Sequence, residues 1–151
     1  MKVTTLILSS LLATTVNCNN EKQKVKSQLD IARSVYDAVY QFDTVKLYSL
    51  VDTAHCFSIY GRDGFLHQAR LASEHIRKCK GPLEQNEIRI LRGGDFTTNI
   101  IFPICPTEYI DNVDSMNMII GFADFQKNKS KAFYFDLDVF KQKIRRITLQ
   151  D

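Results

Sequence analysis

The first half of the chain carries hydrophobic residues at helical spacing. From about Val25 to Phe42, apolar residues recur three and four positions apart, which predicts a helix lying on a sheet. Asp43 is placed to cap a second, short helix that closes at Asp52. Asp63 and Gly64 open a third helix, which Gly81-Pro82 stops. Its apolar face is predicted at Phe65, Ala69, Ala72, Ile76 and Cys79.

The second half reads as strands separated by turns. A short strand is predicted earlier, at residues 55–60, and is ended by Gly61. The remaining strands are predicted at 87–91, 96–104, 116–126, 132–140 and 143–149. Helices first and an antiparallel sheet afterwards indicate an α+β layer fold in one domain. The polar segment 19–26 is expected to be flexible, so the folded domain is assigned to residues 27–151.

The N-terminus has the pattern of a secretory signal peptide. Lys2 is followed by an uncharged, apolar stretch, and Val16 and Cys18 suit the positions before a cleavage site. Cleavage of residues 1–18 predicts a secreted, extracellular protein. The alternative is a buried N-terminal helix. No apolar stretch is long enough to span a membrane, so no membrane span is expected.

Composition excludes a few classes of function. Hydrophobic residues make up 44% and charged residues 25% of the chain, which is typical of a globular domain. The formal net charge of +3 is too small to indicate nucleic-acid binding. Neither a phosphate loop nor closely spaced metal ligands are found, so no cofactor and no metal are predicted.

Secretion would place the cysteines in an oxidising compartment. Cleavage after Cys18 leaves Cys56, Cys79 and Cys105, which fit one disulfide and one buried thiol. A Cys56–Cys79 bridge is favoured, and pairing with Cys105 is the alternative. Asn128 begins an Asn-Lys-Ser sequon between two predicted strands, so a glycan is expected there on an exposed turn.

Two stretches resemble the nuclear transport factor 2-like superfamily, in its SnoaL-like branch. The first runs from Phe42-Asp43-Thr44 through Leu50-Val51-Asp52 to Cys56-Phe57-Ser58, Gly61 and Gly64. The second is Leu137-Asp138-Val139-Phe140 with Lys143-Ile144 and Asp151. The resemblance implies a curved antiparallel sheet around three N-terminal helices, with a cone-shaped pocket between them. It also implies that a homodimer through the sheet is compatible with the fold.

The pocket is expected to be lined by aromatic residues, methionine and one acid. The candidate ligand-binding residues are Tyr36, Tyr40, Phe57, Met118, Phe122, Tyr134 and Asp138. In relatives similar to ketosteroid isomerases, the position resembling Asp138 holds a protonated aspartic acid that donates a hydrogen bond. The matching site for their base holds Ser58 and Ile59, which argues against steroid isomerisation.

Three function hypotheses remain from the sequence. The leading one is a secreted module that binds a small apolar ligand in the conical pocket. The second is a small enzyme of the dehydratase, cyclase or isomerase type, with His55, Asp138 and Tyr36 as candidate catalytic residues. The third is an extracellular interaction protein whose pocket is filled by its own side chains. Catalysis is the less favoured class, because no acid–base pair is evident in the sequence.

Overall fold

A computed structural model describes residues 8–79, 88–93, 97–106 and 115–140. Within these ranges, side chains are described for residues 20 and 22–137, except Cys105, Pro106 and Ser115. The described residues form three helices and a four-stranded antiparallel sheet, so the predicted α+β class is confirmed. In chain order the elements are α1 (Leu8–Gln41), α2 (Thr44–Leu50), α3 (Thr53–Cys79), β1 (Arg89–Gly93), β2 (Thr97–Pro106), β3 (Ser115–Ala123) and β4 (Tyr134–Phe140).

Helix α1 is longer than the sequence pattern suggested. It begins at Leu8 and continues through residues 19–26, the segment that the sequence analysis assigned as flexible. Its apolar stripe is confirmed, because Ala32, Val35, Tyr36 and Val39 are buried. No helix within the described ranges is long and apolar enough to cross a membrane. Cleavage after Cys18 stays a prediction.

Aspartate side chains cap the N-terminal ends of the two following helices. The Asp43 side chain accepts a hydrogen bond of 3.0 Å from the Lys46 amide and starts α2, as predicted. Asp52 does the same for α3, with the His55 amide 3.1 Å from Oδ1. The predicted strand at 55–60 is therefore wrong, since these residues form the first part of α3. Gly61, at φ 68° and ψ 165°, interrupts the helix in a conformation that glycine adopts readily.

The sheet has the order β1-β2-β3-β4, so each strand pairs with the next along the chain. On the face that meets the helices, Ile100 pairs with Ile120 and Ile120 with Phe135. Phe135 contacts Phe65 of α3, with ring centroids 5.8 Å apart. One face of the sheet and the inner faces of α1 and α3 thus share a single hydrophobic core.

The link between α2 and α3 is hydrogen-bonded to the chain just before β4. Val51 forms an isolated parallel bridge with Ala132, supported by the Asp52 amide donating to the Ala132 carbonyl at 2.8 Å. Among the described residues, this bridge at Val51 is the only β pairing that residues 50–60 make. The predicted stop at Gly81-Pro82 and the predicted strand at 143–149 lie outside the described residues.

Candidate functional site

Three of the residues expected to line a conical pocket are packed in or against the hydrophobic core. Tyr36 is 1% exposed and packs on Phe102, with ring centroids 5.3 Å apart. Met118 is completely buried next to them on the inner face of the sheet. Phe57 packs edge-on against Tyr48 at 5.6 Å and is partly buried. These predicted ligand-binding residues therefore belong to the hydrophobic core.

Tyr40 also packs against this core, at the C-terminal end of α1. Its carbonyl oxygen accepts hydrogen bonds from Ser73 Oγ at 3.3 Å and from Arg77 Nε at 2.8 Å. These bonds satisfy a carbonyl that has no partner within its own helix. The docking of α3 on α1 therefore accounts for the position of Tyr40.

Tyr134 lies on the other face of the sheet. It is paired with Gly121, and its hydroxyl donates a hydrogen bond of 2.7 Å to Asn99 Oδ1. Its neighbour Phe135 points to the helices, so Tyr134 does not share a face with Met118. Asp138 is placed in β4 by its backbone, opposite Asn117, and its side chain lies outside the described residues.

His55 joins an aromatic group close to the β3–β4 turn. The imidazole ring of His55 stacks on the ring of Phe133, with centroids 3.8 Å apart. Phe125 meets the Phe133 ring edge-on, with centroids 5.4 Å apart. Tyr36 packs instead on Phe102 in the core, so the two candidate catalytic residues belong to different clusters. Within the described part of the chain, no group of three or more His, Cys, Asp or Glu could hold a metal ion.

Two titratable groups on α3 are held in their neutral forms. Burial, followed by the charge of Asp136 and a hydrogen bond with it, raises the pKa of Tyr60 to about 12. Burial raises the pKa of the Cys56 thiol to about 11, with a smaller contribution from the charge of Asp52. A thiol with such a pKa is not a nucleophile at neutral pH.

The predicted Cys56–Cys79 disulfide is wrong, because Cys56 is a free, buried thiol. Both cysteines lie on α3, and the uninterrupted part of this helix after Gly61 is already roughly 25 Å long. A disulfide needs α-carbons within about 7 Å. Cys79 is disulfide-bonded, and its pairing with Cys105 stays a prediction.

A cavity of about 520 Å³ lies elsewhere, between the N-terminal part of α1 and the end of the sheet. Its wall is mostly carbon, and the two β3 residues Phe122 and Ala123 form its buried floor. The β3–β4 turn contributes Gln126 and Lys129. Helix α1 contributes Asn20, Gln23, Lys24, Ser27 and Gln28. Of the predicted ligand-binding residues, Phe122 lines this cavity.

The cavity exists because the inner stripe of α1 changes from apolar to polar. Lys24, Gln28 and Ala32 follow one another at four-residue spacing and so lie in one row along the helix. Ala32 and the residues after it pack tightly on the sheet, whereas the polar residues before it do not. The cavity therefore begins where close packing against the sheet ends.

Two buried amides stand at the cavity. Gln126 is 6% exposed, and its Nε2 donates to the Lys131 carbonyl at 3.2 Å, which fixes the turn. Gln28 is 7% exposed, and its Oε1 has no hydrogen-bond partner among the described residues. A buried amide oxygen without a partner costs about 1–3 kcal/mol. Gln28 is thus an unsatisfied group at the wall of an open cavity.

The charged side chains at the cavity surround one carboxylate. Lys24 Nζ forms a salt bridge with Asp124 Oδ1, and Lys129 Nζ donates to the main-chain carbonyl of Asp124. No acidic residue is among the described residues of the wall. The rim therefore carries two ammonium groups against one carboxylate.

Asn128 lies exposed in the same turn, as predicted for a glycosylation site. Its Oδ1 accepts hydrogen bonds from the Ser130 amide at 3.0 Å and from Ser130 Oγ at 2.6 Å. Glycosylation itself stays a prediction.

Sequence reasoning missed the residues that form the cavity, apart from Phe122. The signal that could have found them is the polar row that continues the apolar stripe of α1 upstream, at Asn20, Lys24 and Gln28. Comparison with protein families, with curated proteins and with solved structures found no match for this chain.

Proposed function

We propose that the protein is a small-ligand-binding module whose ligand occupies the cavity between α1 and the β3–β4 end of the sheet. The observation that carries this proposal is the buried, unsatisfied amide of Gln28 at the wall of a 520 Å³ cavity. Binding sites for small molecules have volumes of about 300–1,000 Å³, with few polar groups on mainly apolar walls. The volume of this cavity falls within that range, and carbon makes up most of its wall surface, although seven of its nine described lining residues are polar.

The unsatisfied oxygen of Gln28 is a group that a ligand could hydrogen-bond with a gain in free energy. The Gln28 oxygen is buried in this structure, so its terminal amide must turn toward the cavity before a ligand hydroxyl or amide can donate to it and recover its desolvation cost. The terminal amide turns about a broad, roughly two-fold torsion, so either its oxygen or its nitrogen can meet a ligand. The apolar body of the ligand would lie on Phe122 and on the carbon stems of the surrounding long side chains.

The proposal includes secretion and a nuclear transport factor 2-like fold. The order of three helices before an antiparallel sheet supports that fold, and the helical segment at 55–60 is a departure from it. A homodimer through the sheet is compatible with this proposal. An enzymatic role draws no support from the described positions of His55 and Tyr36, which lie in separate clusters.

A second candidate function is an extracellular interaction protein. The packing of Tyr36, Phe102 and Met118 in the core favours it, because these side chains take up space between the helices and the sheet. On this alternative, the cavity beside α1 would hold only water. The two candidates therefore predict different contents for one cavity.

Native mass spectrometry on protein secreted from eukaryotic cells separates them. A ligand-binding module should carry an additional mass that leaves on denaturation, and solvent extraction should identify its chemical class. Ser27→Trp places an indole at the exposed cavity rim and should abolish the additional mass. Ser58→Trp, on an exposed position of α3, is the matched control and should retain it. If the secreted protein carries no bound compound and also fails to bind added small molecules, the result favours the interaction-protein function.

A further inference from the structure

We infer that the ligand of this cavity is an amphipathic anion, with an apolar chain and a carboxylate or phosphate head group. The inference rests on the proposed ligand-binding function and specifies the chemistry of its ligand. It follows from the charges at the cavity rim and from the composition of the cavity floor.

Lys129 provides the cation that is free to meet such a head group. Its ammonium contacts only the uncharged main-chain carbonyl of Asp124, whereas the Asp124 carboxylate is engaged by Lys24. No further carboxylate forms a salt bridge with either lysine among the described residues. Among the side chains that the structure describes, one positive charge at the rim therefore remains without an opposite charge.

The β3–β4 turn adds positive charge near the rim. Lys127 and Lys131 lie two positions on either side of Lys129, exposed or partly exposed, whereas Lys22 and Lys26 lie on the side of α1 away from Lys24. Charges of one sign around a concave, low-dielectric site raise the local concentration of the opposite ion.

The inner part of the cavity suits an apolar chain. Phe122 and Ala123 lie at its floor, and the amide of Gln28 is a hydrogen-bonding group on the wall above them. A head group held at the rim by Lys129 would let the chain extend toward this floor. An ordinary polar metabolite, by contrast, would leave the carbon surface of the wall without a partner.

The test is isothermal titration calorimetry of the secreted protein with four ten-carbon probes, each below its aggregation concentration. The probes are decanoate, decyl phosphate, decanol and decylammonium. Both anions should bind at least about tenfold more tightly than decanol, because a charged hydrogen bond adds roughly that much. Lys129→Gln should remove most of this preference and leave decanol binding unchanged. Lys46→Gln, an exposed lysine of α2 outside the cavity, is the matched control and should change neither. The stronger of the two anions then identifies the head group.

Two kinds of failure are distinguishable. Equal binding of decanol and decanoate, or tighter binding of decylammonium, overturns the anionic head group but leaves a ligand-binding module. Absence of binding by all four probes, or binding that Ser27→Trp does not affect, overturns the proposed cavity function together with this inference. Loss of the preference in Lys46→Gln as well as in Lys129→Gln also overturns the assignment to Lys129.

Discussion

The Tyr134 hydroxyl donates a hydrogen bond of 2.7 Å to Asn99 Oδ1 and so connects β4 to β2 across the strand between them. The ring crosses β3 at Gly121, where a β-carbon would overlap the ring. Burial raises the pKa of Tyr134, and the charge of Asp136 raises it further. The hydroxyl thus remains a donor at neutral pH and fixes the outer face of three strands.

Gly121→Ala should destabilise the protein by displacing this ring. We expect a loss of about 1–3 kcal/mol in the free energy of unfolding, from overpacking and from the broken hydrogen bond. Tyr134→Phe should cost only about 1 kcal/mol, because it removes the hydrogen bond and keeps the ring. Urea unfolding followed by circular dichroism measures both.

A double-mutant cycle checks that the overlap is the cause. In a Tyr134→Ala background, Gly121→Ala should cost much less than in the wild-type chain, because the ring is gone. Strictly additive effects would show that Gly121 matters for another reason, such as its backbone conformation.

Cys56 should make stability depend on alkaline pH. Its folded-state pKa is about 11 against an ordinary value of 9.0, so above pH 9 the unfolded chain binds fewer protons than the native chain. Stability is therefore unaffected by this group below pH 9 and falls as the pH rises toward 11, by up to about 3 kcal/mol. Cys56→Ala should show a shallower decline in urea unfolding across this interval. Parallel curves for the two proteins would contradict the assigned burial.

The cysteines should also differ in reactivity. Native protein treated with iodoacetamide at neutral pH should leave Cys56 unmodified, because the thiol is buried and protonated. Peptide mapping without reduction should find Cys79 in a disulfide. Rapid alkylation of Cys56 in the native state, at a rate equal to that in urea, would be incompatible with this structure.

Gln28→Leu should separate stability from binding. Removing a buried, unpartnered amide should raise the free energy of unfolding by about 1 kcal/mol and weaken ligand binding. Gln41→Leu, at an exposed position of α1, serves as control and should change stability by less than about 0.5 kcal/mol. Urea unfolding and native mass spectrometry provide the two readouts. A destabilised Gln28→Leu protein would mean that the amide is satisfied in solution.

Asn128 should carry a glycan when the chain is secreted from eukaryotic cells. Asn128→Gln and Ser130→Ala should each remove the mass that an amidase releases, whereas Ser130→Thr keeps the sequon and should retain it. Intact-mass spectrometry measures the difference. Secreted wild-type protein from which the amidase releases no mass would rule out glycosylation at this turn.

Local sequence features correctly predicted the helices that depend on local physics. The stripe of Ala32, Val35, Tyr36 and Val39 has the period of a helix, and Asp43 caps α2 through a bond only three residues long. The strand regions followed from alternation and turns, with their ends shifted by a few residues. The helix at 55–60 was missed because its cap at Asp52 and its contact with Ala132 were not visible as a helical pattern.

The candidate site depended on contacts distant in the sequence. Lys24 meets Asp124 across 100 positions, and the floor at Phe122 and Ala123 comes from a strand far from α1. The cysteine pairing failed for a related reason, since Cys56 and Cys79 lie far apart on one helix.

The sequence by itself determined the order of helices and strands, the apolar stripe of α1 and the exposure of the Asn128 turn, because periodicity and capping act over a few residues. Tertiary structure alone decided that Tyr36 and Met118 are packed in the core, that Cys56 is unpaired and that a cavity opens beside Gln28. These depend on how well two distant surfaces fit each other, and close packing is a property of both surfaces together.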